Sequence, residues 1–352
     1  MAAGLVIHVP SSKDKAVTHV TLKTIAEYTG MSVTTVSRAL KDGDEVKGPT
    51  KDKIRAVAEE LGYYPNLQGL SLRTGINYSI CAVLPIIRTC DILGDVGTLA
   101  LISGLTAGFD NTPFHLTIMP FENDKDDLKN LKYAVECNLA GGVIFNQTKT
   151  SDDRVSYLTE KKIPFVSFGQ TEMSVEHPYV DFDNYDIGYR AASYLYEKGC
   201  KNIKLISSSM MYTYAWHKYF GVKRASMEYG IPFNKEKDII IDTGVKNYRE
   251  LAYELMTRSS DVPDGMICGT ELSTLGVIAG IQDAGKQVNK DVHVISIEIS
   301  DLASWFEPPV AGLRQDVKNI GTMLAKFIIQ RVQGETDIKK LQYLEKATFI
   351  QR

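Results

Sequence analysis

Near the N-terminus the stretch "SVTTVSRAL" sets Val33, Thr34, Ser37 and Arg38 at helical spacing between small and apolar residues. What these residue types supply is recognition. A guanidinium donates two N–H groups side by side to O6 and N7 of guanine, a hydroxyl bonds either kind of base, and Val and Thr methyls suit the methyl of thymine. Thr35, Ser37 and Lys41 suit phosphate oxygens, which fix register without reading sequence. The chemistry is that of contact with duplex DNA, with Arg38 carrying the sharpest base preference.

Such side chains need a rigid support, and the flanking sequence predicts one. Thr21 caps a helix from Leu22 to Tyr28, Gly30 turns the chain, and Ser32 caps a second helix from Val33 to Leu40. Leu22, Ile25 and Ala26 on the first helix face Val36 and Leu40 on the second, and neither helix is stable alone. A third helix starts at Pro49 and Thr50, carries Ile54, Val57, Ala58 and Leu61 at helical spacing, and ends before Gly62 and Pro65. Closing that three-helix core turns the start of the second helix outward, the end that a helix-turn-helix directs into the major groove. Across residues 18–75 basic side chains exceed acidic ones by one. A single head therefore neutralises few phosphates, and two heads are expected to act together.

The run "VTLKTIAEYTGMSVTTVSRAL", followed by "EELGYYPN" and "SLRTG", resembles the lactose-repressor (LacI/GalR) family of bacterial transcriptional regulators, and the match continues in order to the C-terminus. The resemblance implies a head over residues 20–65 and a hinge over residues 66–77 that becomes helical on operator DNA. It places Leu72 as the wedge in a minor-groove step and Asn66 on the DNA backbone. An apolar wedge unstacks a base step and kinks the duplex at a cost of a few kcal/mol that added contacts recover. The candidate DNA-binding set is thus Thr21, Ser32, Val33, Thr34, Thr35, Ser37, Arg38, Lys41, Asn66 and Leu72. Gly69 stands where family members usually carry alanine, and glycine costs a helix roughly 0.8–1 kcal/mol.

From Ser79 onward β-rich runs alternate with helical stretches: "SICAVLPI", "FHLTIMPF", "GGVIFN", "IPFVSFG", "NIKLISS", "DIIIDT", "DGMICG" and "VHVISIE". This alternation means doubly wound parallel sheets. The strands are too many for one sheet and break near "GQTEMSVEHPYVDFDN". The expected fold is a small all-α helix-turn-helix head plus an α/β two-lobed periplasmic-binding-protein-like domain for effector binding and dimerisation over residues 78–352. Lobe 1 is expected over about 78–172 and 304–330, and lobe 2 over about 173–303 and 331–352. Ligands in such sheets bind beyond the strand C-termini. That rule and the resemblance together nominate Asp95, Asn146, Tyr214, Lys218, Thr270, Glu271, Glu298 and Gln315 as effector-binding residues. Lys218 replaces the usual arginine and cannot form its two-pronged bond. Gly169, Thr270, Glu271 and Glu298 also depart from the family's sugar-binding pattern. Two readings stay open for Asp95, Asp181 and Asp183, ligand contact or helix capping, and for Tyr212, Tyr214 and Trp216, ring stacking on a sugar or packing.

The 352 residues are 44% apolar, enough for two or three folded units, and the net charge of −3 includes no long block of one sign. Five scattered cysteines (Cys81, Cys90, Cys137, Cys200, Cys268) without a C-x-x-C pair fit reduced thiols. Residues 1–19 read as a disordered leader with no signal-peptide pattern, and no apolar run reaches the roughly 18 residues of a membrane span. A cytoplasmic protein with no membrane partner is expected. No phosphate-loop, dinucleotide, hydrolase-elbow or zinc-protease motif occurs, so neither an enzyme, a cofactor nor a metal is expected. The partners expected are double-stranded operator DNA, a small polar effector such as a sugar or sugar derivative, and a second copy of the chain in a homodimer. The alternative is a regulator controlled by a partner protein at the lobe surface.

Overall fold

The structure is a computed structural model that describes residues 20–86, 96–122, 127–241 and 245–352. The expected leader, Cys90 and Asp95 lie outside the described residues. The chain divides into two compact units, Met1–Thr74 and Gly75–Arg352.

In the first unit, α1 (Leu22–Thr29), α2 (Val33–Leu40) and α3 (Gly48–Glu60) surround one core, and α4 (Leu67–Thr74) follows. Ile25, Ala26, Val36, Ala39, Val46, Ile54 and Ala58 are buried together. Each of the three helices offers only a short apolar stripe, so each depends on the other two. Gly30 makes the tight turn in the left-handed region (φ 73°), which glycine enters without a Cβ penalty.

The second unit contains two six-stranded sheets. The first has the order β11-β5-β4-β3-β1-β2, where β1 is Ser79–Ile86, β2 His115–Glu122, β3 Gly142–Phe145, β4 Phe165–Phe168, β5 Tyr179–Phe182 and β11 Gln342–Glu345. Helices α5 (Val96–Phe109), α6 (Asp127–Glu136), α7 (Asp153–Glu160) and α13 (Val317–Val332) belong with it. The second sheet has the order β12-β10-β9-β8-β6-β7, from β6 (Ile203–Ser207), β7 (Ile239–Ile241), β8 (Gly265–Cys268), β9 (His293–Glu298), β10 (Ala311–Arg314) and β12 (Thr348–Ile350). Around it lie α8 (Asn184–Glu197), α9 (Thr213–Tyr229), α10 (Lys235–Asp238), α11 (Val245–Thr257) and α12 (Glu271–Asp283). Every pairing is parallel except β10 with β12. Strands β3, β6 and β8 are buried along their whole length, as a parallel sheet covered on both faces requires.

The lobe bounds differ from those expected. Lobe 1 does not end near residue 172, because Tyr179–Phe182 pairs in parallel with β4 and β11. Nor does the chain return to lobe 1 near residue 304, because Ala311–Arg314 pairs with β9 in lobe 2. The return comes with α13, and β11 stays in the first sheet before β12 closes the second. The chain thus crosses between lobes after β5, after β10 and between β11 and β12.

Candidate nucleic-acid face and interlobe cavity

Both helix starts in the head are fixed by hydroxyl caps. The Thr21 hydroxyl accepts from the Thr24 amide at 3.3 Å while the Thr24 hydroxyl accepts from the Thr21 amide at 3.2 Å. Ser32 Oγ accepts from the Thr35 amide at 3.0 Å and lies 2.8 Å from the Thr35 hydroxyl. Each such cap contributes about 1 kcal/mol, so Thr21 and Ser32 have a structural task whatever they touch outside the chain. With Val36 and Ala39 buried, Val33 (44% exposed), Thr34, Arg38 and Lys41 face outward, while Thr35 and Ser37 are half-buried. Arg38 Nε lies 4.0 Å from a Glu45 carboxylate oxygen. In the turn after α2, Asp42 accepts from Lys51 and Arg55, and hydrogen bonds from those two cations hold its carboxyl below the usual range.

Asn66 Oδ1 accepts from the Gly69 amide at 3.0 Å and so caps α4, while Leu72 is 89% exposed. A single exposed apolar side chain is ordinary on a surface and does not by itself mark a site. A groove of about 950 Å³ in the head brings Thr21, Ser37, Lys41 and Asn66 together with Lys23, Tyr64 and Arg73.

Between the lobes, the strand C-termini and the helix N-termini that follow them enclose a cavity. It measures about 180 Å³, space for on the order of a dozen waters or the roughly twelve heavy atoms of a hexose. Asn146 follows β3, Gln315 follows β10, and Tyr214 and Lys218 project from the first turns of α9. These four expected effector residues all line it. Asn146 Oδ1 is buried and has no hydrogen-bond partner among the described residues. Glycines place Lys218: a Cβ on Gly188 of α8 would strike the Lys218 carbonyl, and one on Gly221 would strike the Tyr185 carbonyl, so α8 and α9 pack backbone to backbone only because both lack side chains there. Lys218 is 9% exposed, and its ammonium lies 5.2 Å from the Tyr214 ring centroid. Burial pushes it down to about 8 against the pull of Asp181.

Sequence reasoning had not assigned Gln147, Phe168, Phe182 or Asn184 to this cavity, yet all four line it. Gly169 lines it too, in a left-handed conformation (φ 119°) where a Cβ would collide with the Thr148 hydroxyl. Asp181 also belongs there, and burial pushes its carboxyl up to about 6. Its Oδ1 accepts from the Phe182 amide (2.8 Å) and Asn184 Nδ2 (3.1 Å), and its Oδ2 from the Gln170 amide (3.2 Å) and Gln170 Nε2 (3.5 Å). Asp183 is a helix cap, accepting from the Asp186 amide. Of the three aromatics, Tyr212 stacks on Tyr214 at 5.5 Å, whereas Trp216 packs between Phe220 and the Lys235 ammonium. The two lobes also touch each other directly. The Thr213 amide donates to the Thr148 carbonyl at 2.9 Å, Lys149 and Tyr212 form an antiparallel bridge, and His217 Nε2 lies 2.6 Å from Glu172 Oε1.

Three expected effector residues are occupied elsewhere. Thr270 caps α12 in a reciprocal pair with Ser273. Glu271 Oε1 accepts from the Ile299 and Ser300 amides, both at 2.7 Å. Glu298, fully buried, accepts from Arg314 Nε at 3.1 Å and from Arg352 Nη1 and Nη2 at 3.0 and 3.1 Å. None of the three lines the cavity. Three of the four cysteines in the described residues, Cys81, Cys200 and Cys268, are buried, and all four are free. Among the described residues no helix is long and apolar enough to cross a membrane, and no cluster of metal-ligating side chains occurs.

Residues 21–66 match the family described as bacterial regulatory proteins, lacI family, and residues 192–352 match the periplasmic binding protein-like domain. The HTH-type transcriptional regulator AglR of Rhizobium meliloti (strain 1021) is 28% identical over 342 residues, covering 95% of this chain and 93% of that protein. Catabolite control protein A of Priestia megaterium is 25% identical, covering 90% of this chain and 94% of that protein. Among solved structures, the lac repressor dimer bound to operator and the anti-inducer ONPF has a TM-score of 0.75 at 20% identity, covering 95% of this chain and 98% of that one. The transcriptional regulator CelR in complex with cellobiose has a TM-score of 0.70 at 22% identity, covering 95% of this chain and 99% of that one. These relatives are regulators and not enzymes. A helix-turn-helix head joined to a two-sheet binding-protein-like domain, matched end to end in this way, makes the chain a transcriptional regulator of the lacI family.

Proposed function

We propose that this regulator is a cytoplasmic repressor that binds a pseudo-palindromic operator as a homodimer and is released by a small polar effector, a sugar or sugar derivative, seated between its lobes. The observation that carries the reading is the pairing of two faces in one chain. The outward face of α2 presents Val33, Thr34, Arg38 and Lys41, and the interlobe cavity presents Asn146, Tyr214, Lys218 and Gln315. Two relatives support it by what they hold: the lac repressor dimer was solved on operator and CelR with cellobiose. Control by a partner protein alone would leave the polar lining of the cavity without a use.

In this reading Arg38 reads a base pair, Lys41 neutralises phosphate, and Leu72 inserts into the minor groove when two hinges meet. The effector alters the angle between lobes and with it the separation of the two hinges. A coupling of about 1–3 kcal/mol corresponds to a 5 to 150-fold change in operator affinity. Fluorescence anisotropy on operator and random duplexes tests the assignment. Arg38→Ala should lose roughly 1–3 kcal/mol on operator and relax the preference at one base pair, while Lys41→Ala weakens all sequences alike. Equal losses on both duplexes for both variants reject it.

A further inference from the structure

The cavity contains one cation and one anion, but they are not each other's partner. Among the described residues Lys218 has no ion-pair or hydrogen-bond partner, although it is 9% exposed and faces the cavity. Asp181 cannot serve it, because four N–H donors already occupy both carboxylate oxygens. Of the acidic side chains nominated for this site, the two others that the structure describes are turned away, Glu271 onto backbone amides and Glu298 onto two arginines. What faces the space is a buried ammonium without an acceptor and the Asn146 carbonyl oxygen without a donor.

Helix ends add to this imbalance. Helices α8, α9 and α13 all begin at the cavity, through Asn184, Tyr214 and Val317. Asp183 and Asp316 cap α8 and α13, setting a negative side chain against each positive helix end. The 17-residue α9 has no side-chain cap. Its positive end and Lys218, little more than one turn inside it, act in the same place.

We propose that the effector carries one carboxylate, held by the Lys218 ammonium at the uncapped start of α9, with its hydroxyls turned to Asn146 and Gln315: a sugar acid and not a neutral sugar. This rests on the cavity being the effector site. A neutral hydroxyl accepts a hydrogen bond from the ammonium but leaves its buried charge uncompensated, whereas a carboxylate accepts the bond and compensates the charge as well. A phosphate dianion would bring a second negative charge beside Asp181 with one cation to meet it, and lysine supplies a point charge without the fork that grips planar oxyanions. An anion next to Lys218 raises its proton affinity and that of Asp181, which stand at about 8 and about 6 without it. Binding at neutral pH therefore draws protons from the buffer.

Titration calorimetry on the full chain tests this with glucose, galactose and mannose, each beside its uronate and its 6-phosphate, in two buffers of different ionisation heat. At least one uronate should bind about tenfold or more tightly than its parent sugar, with proton uptake. Lys218→Met should shrink that preference to within about threefold, and Lys218→Arg should keep it. A neutral sugar binding as tightly as its uronate, or a preference that survives Lys218→Met, overturns the inference and leaves the effector cavity standing. A 6-phosphate binding more tightly than the uronate overturns the carboxylate. If no member binds at millimolar concentration, the inference falls together with the sugar reading.

Discussion

Replacing Glu298 separates a structural carboxylate from a ligand-binding one. In the structure it closes the β9–β10–β12 edge: Arg352 reaches back along the sheet to grip both oxygens, and Arg314 takes one of them. Removing one partner of a buried pair costs about 3–5 kcal/mol, because the partner's charge is left without compensation. The two arginines fare differently, and the first keeps Glu298→Ala at the lower end of that range while the second keeps it from falling below. Arg314 is 30% exposed and keeps Asp301 at 2.6 Å, so it rehydrates. Arg352, 11% exposed, keeps only the Val310 carbonyl at 3.3 Å. At about 2–4 °C per kcal/mol for a large domain, a loss of about 3 kcal/mol lowers the melting temperature by roughly 6–12 °C. Glu298→Gln keeps one acceptor oxygen but turns an amide N–H toward guanidinium N–H groups, so it should fall between wild type and alanine. Scanning calorimetry of the full chain reads the shift, and titration of any identified effector should give a dissociation constant within roughly threefold of wild type. An alanine variant that melts within about 1 °C of wild type yet loses effector affinity refutes the reasoning.

Gly69→Ala has room on α4, where the nearest atom to the new Cβ would be Asn66 Cγ at 3.6 Å. It should favour the hinge helix by about 0.8–1 kcal/mol per chain. Operator affinity should then rise by about 10-fold or more for two hinges that order on binding, read by anisotropy; an unchanged or weakened affinity counts against an ordering hinge. Burial of Asp181 and Lys218 sets a pH signature. Asp181 is raised to about 6 from 3.8, so the folded state binds the extra proton and this contribution to stability falls as pH rises from about 4 to 6. Lys218 is lowered to about 8 from 10.5, so the unfolded state binds the extra proton and stability recovers as pH rises from about 8 to 10.5. Together they place a minimum between pH 6 and 8. Asp181→Asn should flatten the acid limb in urea melts across pH, and an unaltered limb would show that another group causes it.

The head was legible because its contacts are local. Hydroxyl caps, a glycine turn and three short stripes within about forty residues specify a core almost without help from the rest of the chain. The cavity was read only in part, and the failures share a cause. β5 escaped notice because "YVDF" is four residues long, follows an irregular loop and carries Asp181 in its middle, a polar residue that breaks the apolar run by which a buried strand is recognised. β10 opens with Ala311 and Gly312, two residues with weak strand preference. With β5 and β10 unread, the lobe bounds went to the wrong places, Phe182 and Asn184 were not gathered, and Asp181 was left between ligand contact and helix capping. Glu298 was nominated because it ends a strand, but Arg352, which holds it, stands far away in sequence beyond a whole helix of the other lobe. No local pattern announces such a partner.

A route from the cavity toward the head follows from how lobe 1 begins. Only Gly75, Ile76, Asn77 and Tyr78 separate α4 from β1. Asn77 is fastened at once: its Nδ2 donates to the Asn138 carbonyl at 3.0 Å and its Oδ1 accepts from the Ser79 amide at 3.0 Å. The Gly141 amide donates to the Ser79 carbonyl at 2.8 Å, and a Cβ on Gly141 would strike the Asn77 carbonyl. From that clamp β3 runs, wholly buried, in register with Ile80–Val83 of β1, and the next residue is Asn146 in the cavity. A buried strand of four residues, spanning about 13 Å, therefore joins the point where the hinge enters lobe 1 to a residue that would touch the effector. Such a strand is too tightly packed to stretch or shift register, so it transmits nothing by deforming. Its rigidity makes lobe 1 one body. In the function proposed above, an effector that pulled Lys218 of lobe 2 toward Asn146 of lobe 1 would rotate that whole body, clamp included, and the hinge start would move with it. In that proposal the coupling resides in the lobe angle, and the three crossings after β5, after β10 and between β11 and β12 are the covalent connections at which that angle changes.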